Sequence, residues 1–172
     1  MADQQAIEAV EAAIDVGMTF IDTADQYGSH AHVAEAVDAI GADNVVICTK
    51  TCASDLPTIE ADIPRSLREL RVDRLAIVLM HCLTSADWPT ARRAVMDALS
   101  AYKEQGVIRA VGVSCHDFGA MRAAADEPWV DLILARINYD GVHMDASPDE
   151  VRALLERMHA DGKAVYGMKV VG

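Results

Sequence analysis

Six side chains able to handle protons or charge stand at or near the ends of apolar runs in this 172-residue chain. Asp22 follows MTFI, Lys50 follows VVICT, His81 follows LAIVLM, Ser114 lies in AVGVSC, Arg136 follows DLILA, and Lys169 follows AVYGM. A carboxylate and an imidazole can accept protons, a hydroxyl can donate one, and an ammonium can hold a neighbouring anion, so together these groups could carry acid–base chemistry. An amine nucleophile, Lys50 or Lys169, is a second option, but it needs a lysine that gives up its proton. Singly, each residue has a plainer use. Asp22 can satisfy backbone N–H groups at a strand end, Asp25 can cap the loop, Tyr27 before Gly28 can cover it, Lys50 can be a solvated charge, and His81 a satisfied rim histidine.

The chemistry depends on elements that bring the run ends together. Apolar residues recur at helical spacing over 3–16, with Gly17 placed as a C-cap. The pattern then predicts strands over 18–24, 45–50, 75–81, 108–115, 130–137 and 164–171. Helices are expected between them over 30–40, 57–71, 89–105, 117–125 and 147–161, the last with Pro148 in its first turn. Strands of continuous apolar character alternating with helices are those of a parallel sheet covered by helices. An open doubly wound sheet competes, but it advertises a Gly-rich phosphate turn after its first strand, and none is present. In a parallel barrel all C-terminal strand ends share one mouth, so the polar run ends favour a (β/α)8 TIM-barrel type fold in a single domain over 1–172.

Composition narrows the partners. With 27 acidic against 15 basic residues the net charge is −12, which weighs against nucleic acids and anionic membranes. No run reaches membrane-spanning length, and the first residues are acidic and amphipathic, unlike a signal peptide, so a cytoplasmic protein is expected. Cys48, Cys52, Cys82 and Cys115 lack paired spacing and read as reduced, buried thiols. His30, His32, His116 and His143 fall in expected mouth loops, but no carboxylate or cysteine completes a recognisable ligand set, so no metal is expected. Trp88 and Trp129 read as packing anchors.

FIDTADQYG (20–28), VVICTK (45–50), LAIVLMH (75–81) and GVIRAVGVSCHDF (106–118) resemble, in order, the successive signatures of the aldo-keto reductases, and the resemblance spans nearly the whole chain. It implies an oxidoreductase that reduces an aldehyde or ketone with NADP(H) or NAD(H). Tyr27 would be the general acid, Lys50 would stabilise its phenolate, Asp22 would pair with Lys50, and His81 would orient the carbonyl or relay the proton. A phenol with an ordinary pKa of about 10 donates readily near neutrality only when its anion is so stabilised.

The resemblance also implies cofactor contacts. Ser114 falls where the family has a serine on the nicotinamide carboxamide, and Cys115 stands where an asparagine is common. Arg136, with Asn138 two residues on, takes the place of a glutamine, and Met168 that of an aromatic ring stacked on the nicotinamide. Against the family pattern the chain lacks a first strand and an eighth strand with its cofactor-gripping loop. The expectation is therefore an incomplete barrel of six parallel strands, with open edges available for self-association. A non-catalytic binding or regulatory subunit stays as the alternative function, and a Schiff-base lyase as a more remote one.

Overall fold

The structure, a computed structural model, describes residues 4–171. Helices and strands alternate along the chain as α1 (Gln4–Asp15), β1 (Phe20–Asp22), α2 (His30–Ile40), β2 (Val46–Thr51), α3 (Leu56–Leu70) and β3 (Leu75–Leu83). They continue as α4 (Trp88–Ala91), α5 (Arg93–Glu104), β4 (Ile108–Cys115), α6 (Phe118–Asp126), β5 (Leu132–Arg136), α7 (Pro148–Ala160) and β6 (Ala164–Met168). The six strands form one sheet in sequence order, β1 to β6, and every neighbouring pair is parallel.

This sheet is strongly curled. Five steps of about 4.8 Å would put β1 and β6 about 24 Å apart in a flat sheet. Instead, the ring of Phe20 on β1 meets that of Tyr166 on β6 edge-on, with centroids 5.2 Å apart. The result is a half-barrel with helices outside, as expected for the barrel type and unlike an open doubly wound sheet.

Period-two alternation divides each strand between two cores. Ile47, Val78, Met80, Val111, Val113, Ile133 and Ala135 face the helices in the larger apolar cluster. Cys48, Leu79, Leu132 and Leu134 face the hollow of the curl, with Ile77, Ala110, Tyr166 and Met168 packed on them. Close approach matters at Gly112, which pairs with Leu132, because a Cβ there would lie 2.1 Å from the Leu132 carbonyl oxygen.

Local signals set the helix starts. Asp55 accepts from the Thr58 amide at 2.9 Å, Asp117 accepts from the Ala120 amide at 2.9 Å, and Ser147 forms a capping box with Glu150 ahead of Pro148. The helix expected over 89–105 is divided at Arg92, whose φ of −108° leaves the helical region. The short α4 thereby seats the buried Trp88, whose indole donates to the Ala120 carbonyl at 3.2 Å and meets Trp129 edge-on. The expected strands over 18–24 and 164–171 are shorter, as Phe20–Asp22 and Ala164–Met168. Lys169, with φ of 58°, turns the backbone out of the sheet.

Candidate active site

The last inward-facing residue of each strand lies at one rim of the half-barrel, and the alternation makes these residues Asp22, Lys50, His81, Ser114, Arg136 and Met168. Lys50 is buried, only 1% exposed. Burial of an ammonium requires partners, and Lys50 has two acceptors: Nζ donates to Asp22 Oδ1 and, at 2.7 Å, to the Thr23 carbonyl. It also lies over the face of the Tyr27 ring, 4.9 Å from the centroid, where the ring quadrupole favours a cation.

Tyr27 reaches this place through a 3-10 turn, Asp25–Tyr27, closed by Gly28 in the left-handed region at φ 65°. The turn leaves Tyr27 55% exposed, unlike the lysine beneath it. Its Oη lies 3.4 Å from His81 Nε2, a long hydrogen bond, and the two rings meet edge-on at 5.7 Å. Burial, reinforced by the Lys50 and His116 charges and opposed by Asp22, pushes His81 down to about 4, so its imidazole is neutral at pH 7.

Asp22 is shared. Its second oxygen accepts from the Tyr166 hydroxyl at 2.8 Å, and that hydroxyl also lies 3.3 Å from Cys48 Sγ. Burial drives the Tyr166 phenol far above its ordinary range, so it serves as a neutral donor to the carboxylate. Sequence reasoning passed over Tyr166 because it stands inside an apolar strand. The only signal is its spacing of two from Met168, which puts both on the inner face.

The four residues Asp22, Tyr27, Lys50 and His81 thus come together, whereas the expected cofactor contacts diverge. Ser114 faces the hollow, fully buried, and its Oγ has no hydrogen-bond partner among the described residues. Cys115, one residue on, faces the opposite way into the helix-side core, where burial raises its thiol. Arg136 is held by Asp145 and donates to the His116 carbonyl at 3.1 Å, so it ties the loop after β5 to the end of β4. Asn138 closes that loop locally, its side chain bonded to both the amide and the carbonyl of Val142. Met168 packs into the inner apolar cluster.

The expected solvated histidines also separate. His30 is buried at the start of α2, with Nδ1 2.7 Å from Glu69 and Nε2 2.9 Å from Thr49, and so braces α2, α3 and β2. His116 is half-buried with Cys82 Sγ 3.7 Å away. Neither His32 nor His143 joins the four residues.

A second grouping at the rim was hidden in the sequence. Asp25, Cys52 and His81 each offer a ligand atom, and the three atoms lie within 4.8 Å of one another. They come from a turn, a strand end and another strand, so no spacing rule announces them.

The family profile described as "Aldo/keto reductase family" matches residues 1–172. An aldo-keto reductase from Mycolicibacterium smegmatis is 32% identical over 128 residues, covering 70% of this chain and 42% of the relative. Methylglyoxal reductase DkgA from Salmonella typhimurium is 27% identical over 142 residues, covering 79% of this chain and 50% of the relative. The solved aldo/keto reductase from Klebsiella pneumoniae in complex with NADP and acetate superposes with a TM-score of 0.74 at 26% identity, over 94% of this chain and 56% of that one. This chain therefore spans about half the length of these relatives. With four motif residues gathered at one barrel rim and the profile matched along its length, the chain belongs to the aldo/keto reductase family.

Proposed function

We propose that this chain carries the proton-donating site of an NAD(P)H-dependent oxidoreductase that reduces an aldehyde or ketone to an alcohol. The observation that carries the reading is the position of the Lys50 ammonium, held by Asp22 and Thr23 beneath the Tyr27 ring, while His81 Nε2 closes on the Tyr27 hydroxyl from the other side.

Tyr27 is exposed at the rim, so a carbonyl oxygen can approach its hydroxyl and take its proton. The phenolate left behind is met by the Lys50 charge, which burial strengthens by lowering the local dielectric. Neutral His81 can donate from Nε2 to the carbonyl oxygen or to the phenolate without adding charge. Asp22 holds Lys50 in place and is itself held by Tyr166. The nicotinamide, when bound, supplies the hydride to the carbonyl carbon. The unpartnered Ser114 hydroxyl in the hollow suits an amide of that ring, and the bound NADP in the Klebsiella pneumoniae protein favours the same cofactor here. Arg136, Cys115 and Met168 lend this cofactor reading no polar contact, since one is committed to Asp145 and the others pack in apolar clusters.

Amine catalysis by Lys50 finds no support. Its ammonium is stabilised by a carboxylate and a carbonyl, the reverse of what a nucleophilic amine requires. The reduction is tested by following NADPH oxidation with a panel of aldehydes and ketones, using wild type and Tyr27→Phe. Loss of a general acid should lower kcat by about a hundredfold or more. Because Tyr27 is half exposed, the fold should be unchanged. Equal rates in the two proteins would remove Tyr27 from the mechanism.

A further inference from the structure

We propose that Asp25, Cys52 and His81 form a binding site for one divalent d10 cation, Zn2+ above all, at the rim beside the Tyr27 hydroxyl. The ligand atoms of the three residues already lie within 4.8 Å of one another. Cys52 Sγ stands 3.8 Å from His81 Nδ1. A tetrahedral zinc ion with ordinary Zn–S and Zn–N bonds holds such a pair about 3.6 Å apart, so this pair needs only a shift of a few tenths of an ångström, while the Asp25 oxygen must close in by about 1 Å or less.

The third ligand supplies an independent reason. The Asp25 side chain is only 10% exposed, and its Oδ1 is buried without a hydrogen-bond partner among the described residues. Arg65 reaches only the other oxygen, at 3.6 Å, and the Gln26 and Cys52 amides favour the carboxylate without outweighing the cost of its burial. A buried carboxylate oxygen with no donor is costly unless something positive meets it. A carboxylate, a thiolate and a neutral imidazole together carry the two negative charges that offset a divalent ion. A mixed oxygen, sulfur and nitrogen set selects Zn2+ over Mg2+ or Ca2+, which take oxygen ligands. Three protein ligands leave a fourth position for water.

On binding, the Cys52 S–H bond breaks, the sulfur bonds to the ion, and the proton passes to solvent. The ion occupies His81 Nδ1, so Nε2 must carry the remaining ring proton, and this is the nitrogen that faces Tyr27 Oη at 3.4 Å. A bound ion would thus fix the tautomer of the histidine next to the proton donor.

The test is titration of the chelator-stripped 172-residue chain with Co2+, followed by displacement with Zn2+. One equivalent of Co2+ should produce a thiolate-to-cobalt charge-transfer band that Zn2+ abolishes. The band should vanish in Cys52→Ser, persist in Cys82→Ser, and require at least about tenfold more Co2+ in Asp25→Asn. Failure of wild type to give the band, or its survival in Cys52→Ser, overturns the site. Independently of any variant, Zn2+ should slow alkylation of Cys52 by iodoacetamide at least about tenfold while leaving that of exposed Cys82 unchanged. Equal protection of both thiols, or of neither, also overturns it. These readouts follow metal uptake alone, so their failure leaves the carbonyl-reduction reading standing.

Discussion

Tyr166 donates a hydrogen bond of 2.8 Å to Asp22, joining the last strand of the half-barrel to the first across 144 residues of sequence. The same carboxylate holds the buried Lys50, so the bond links sheet curvature to the group of Asp22, Tyr27, Lys50 and His81 at the rim. Tyr166→Phe keeps the ring and its contact with Phe20 but removes the donor. Asp22 is partly exposed and water can replace the lost bond in part, so the expected loss is about 1 kcal/mol in urea unfolding. Reductase activity should fall too, since one of the groups orienting Asp22 is gone. A variant as stable and as active as wild type would show that the contact does not restrain Asp22.

Ser114→Ala separates a structural serine from one that awaits a ligand. Its buried hydroxyl is unpartnered, so removing it should leave the cofactor-free chain as stable as before, or up to about 1 kcal/mol more stable. NADPH affinity, read by fluorescence titration, should instead weaken. Destabilisation without any change in affinity would assign Ser114 to the fold.

Gly112→Ala probes the contact between β4 and β5. The added Cβ would meet the Leu132 carbonyl oxygen at 2.1 Å, and a main-chain atom in a paired strand has little room to retreat. The cost should be about 3 kcal/mol, read as a lower urea midpoint. A neutral result would mean that the strands can separate freely at this point.

Stability should also depend on pH through His81. Its pKa of 6.5 in the unfolded chain drops to about 4 in the fold, chiefly through burial. Between these values the unfolded state binds a proton that the folded state refuses, so stability is full above about 6.5 and falls as pH drops toward 4. His116, also lowered by burial, acts in the same direction, and Asp25, raised by burial, in the opposite one. Urea midpoints at pH 7 and pH 5, with chelator present, should therefore differ more in wild type than in His81→Gln. Equal differences would exclude His81 as a source of the dependence.

The alternation of strands and helices was legible because apolar runs and cap residues act locally, and Pro148 after Ser147 marked the start of α7 correctly. Asp22, Lys50, His81 and Ser114 were legible for a related reason: each is a polar residue ending a buried run, and a parallel barrel gathers such ends. Cys115 follows Ser114 by a single step, which in a strand reverses the face and sets it in the helix-side cluster. Arg136 looked available because its partner, Asp145, lies in a loop without periodicity. The Asp25, Cys52 and His81 group was invisible for the same cause, since turns and strand ends meet through tertiary structure that no repeat records. The break at Arg92 was missed because helical spacing of apolar residues continues through it, while the seat of Trp88 depends on α6.

The tie from Arg136 to Asp145 and to the His116 carbonyl has a consequence for how this rim could diversify. The base of the loop after β5 is clamped to the sheet, yet its outer part carries Tyr139, 96% exposed, and Val142, also exposed. Such a loop is an exchangeable fingertip on a fixed knuckle. Its outer residues can be replaced or lengthened while Asp22, Tyr27, Lys50 and His81 keep their positions.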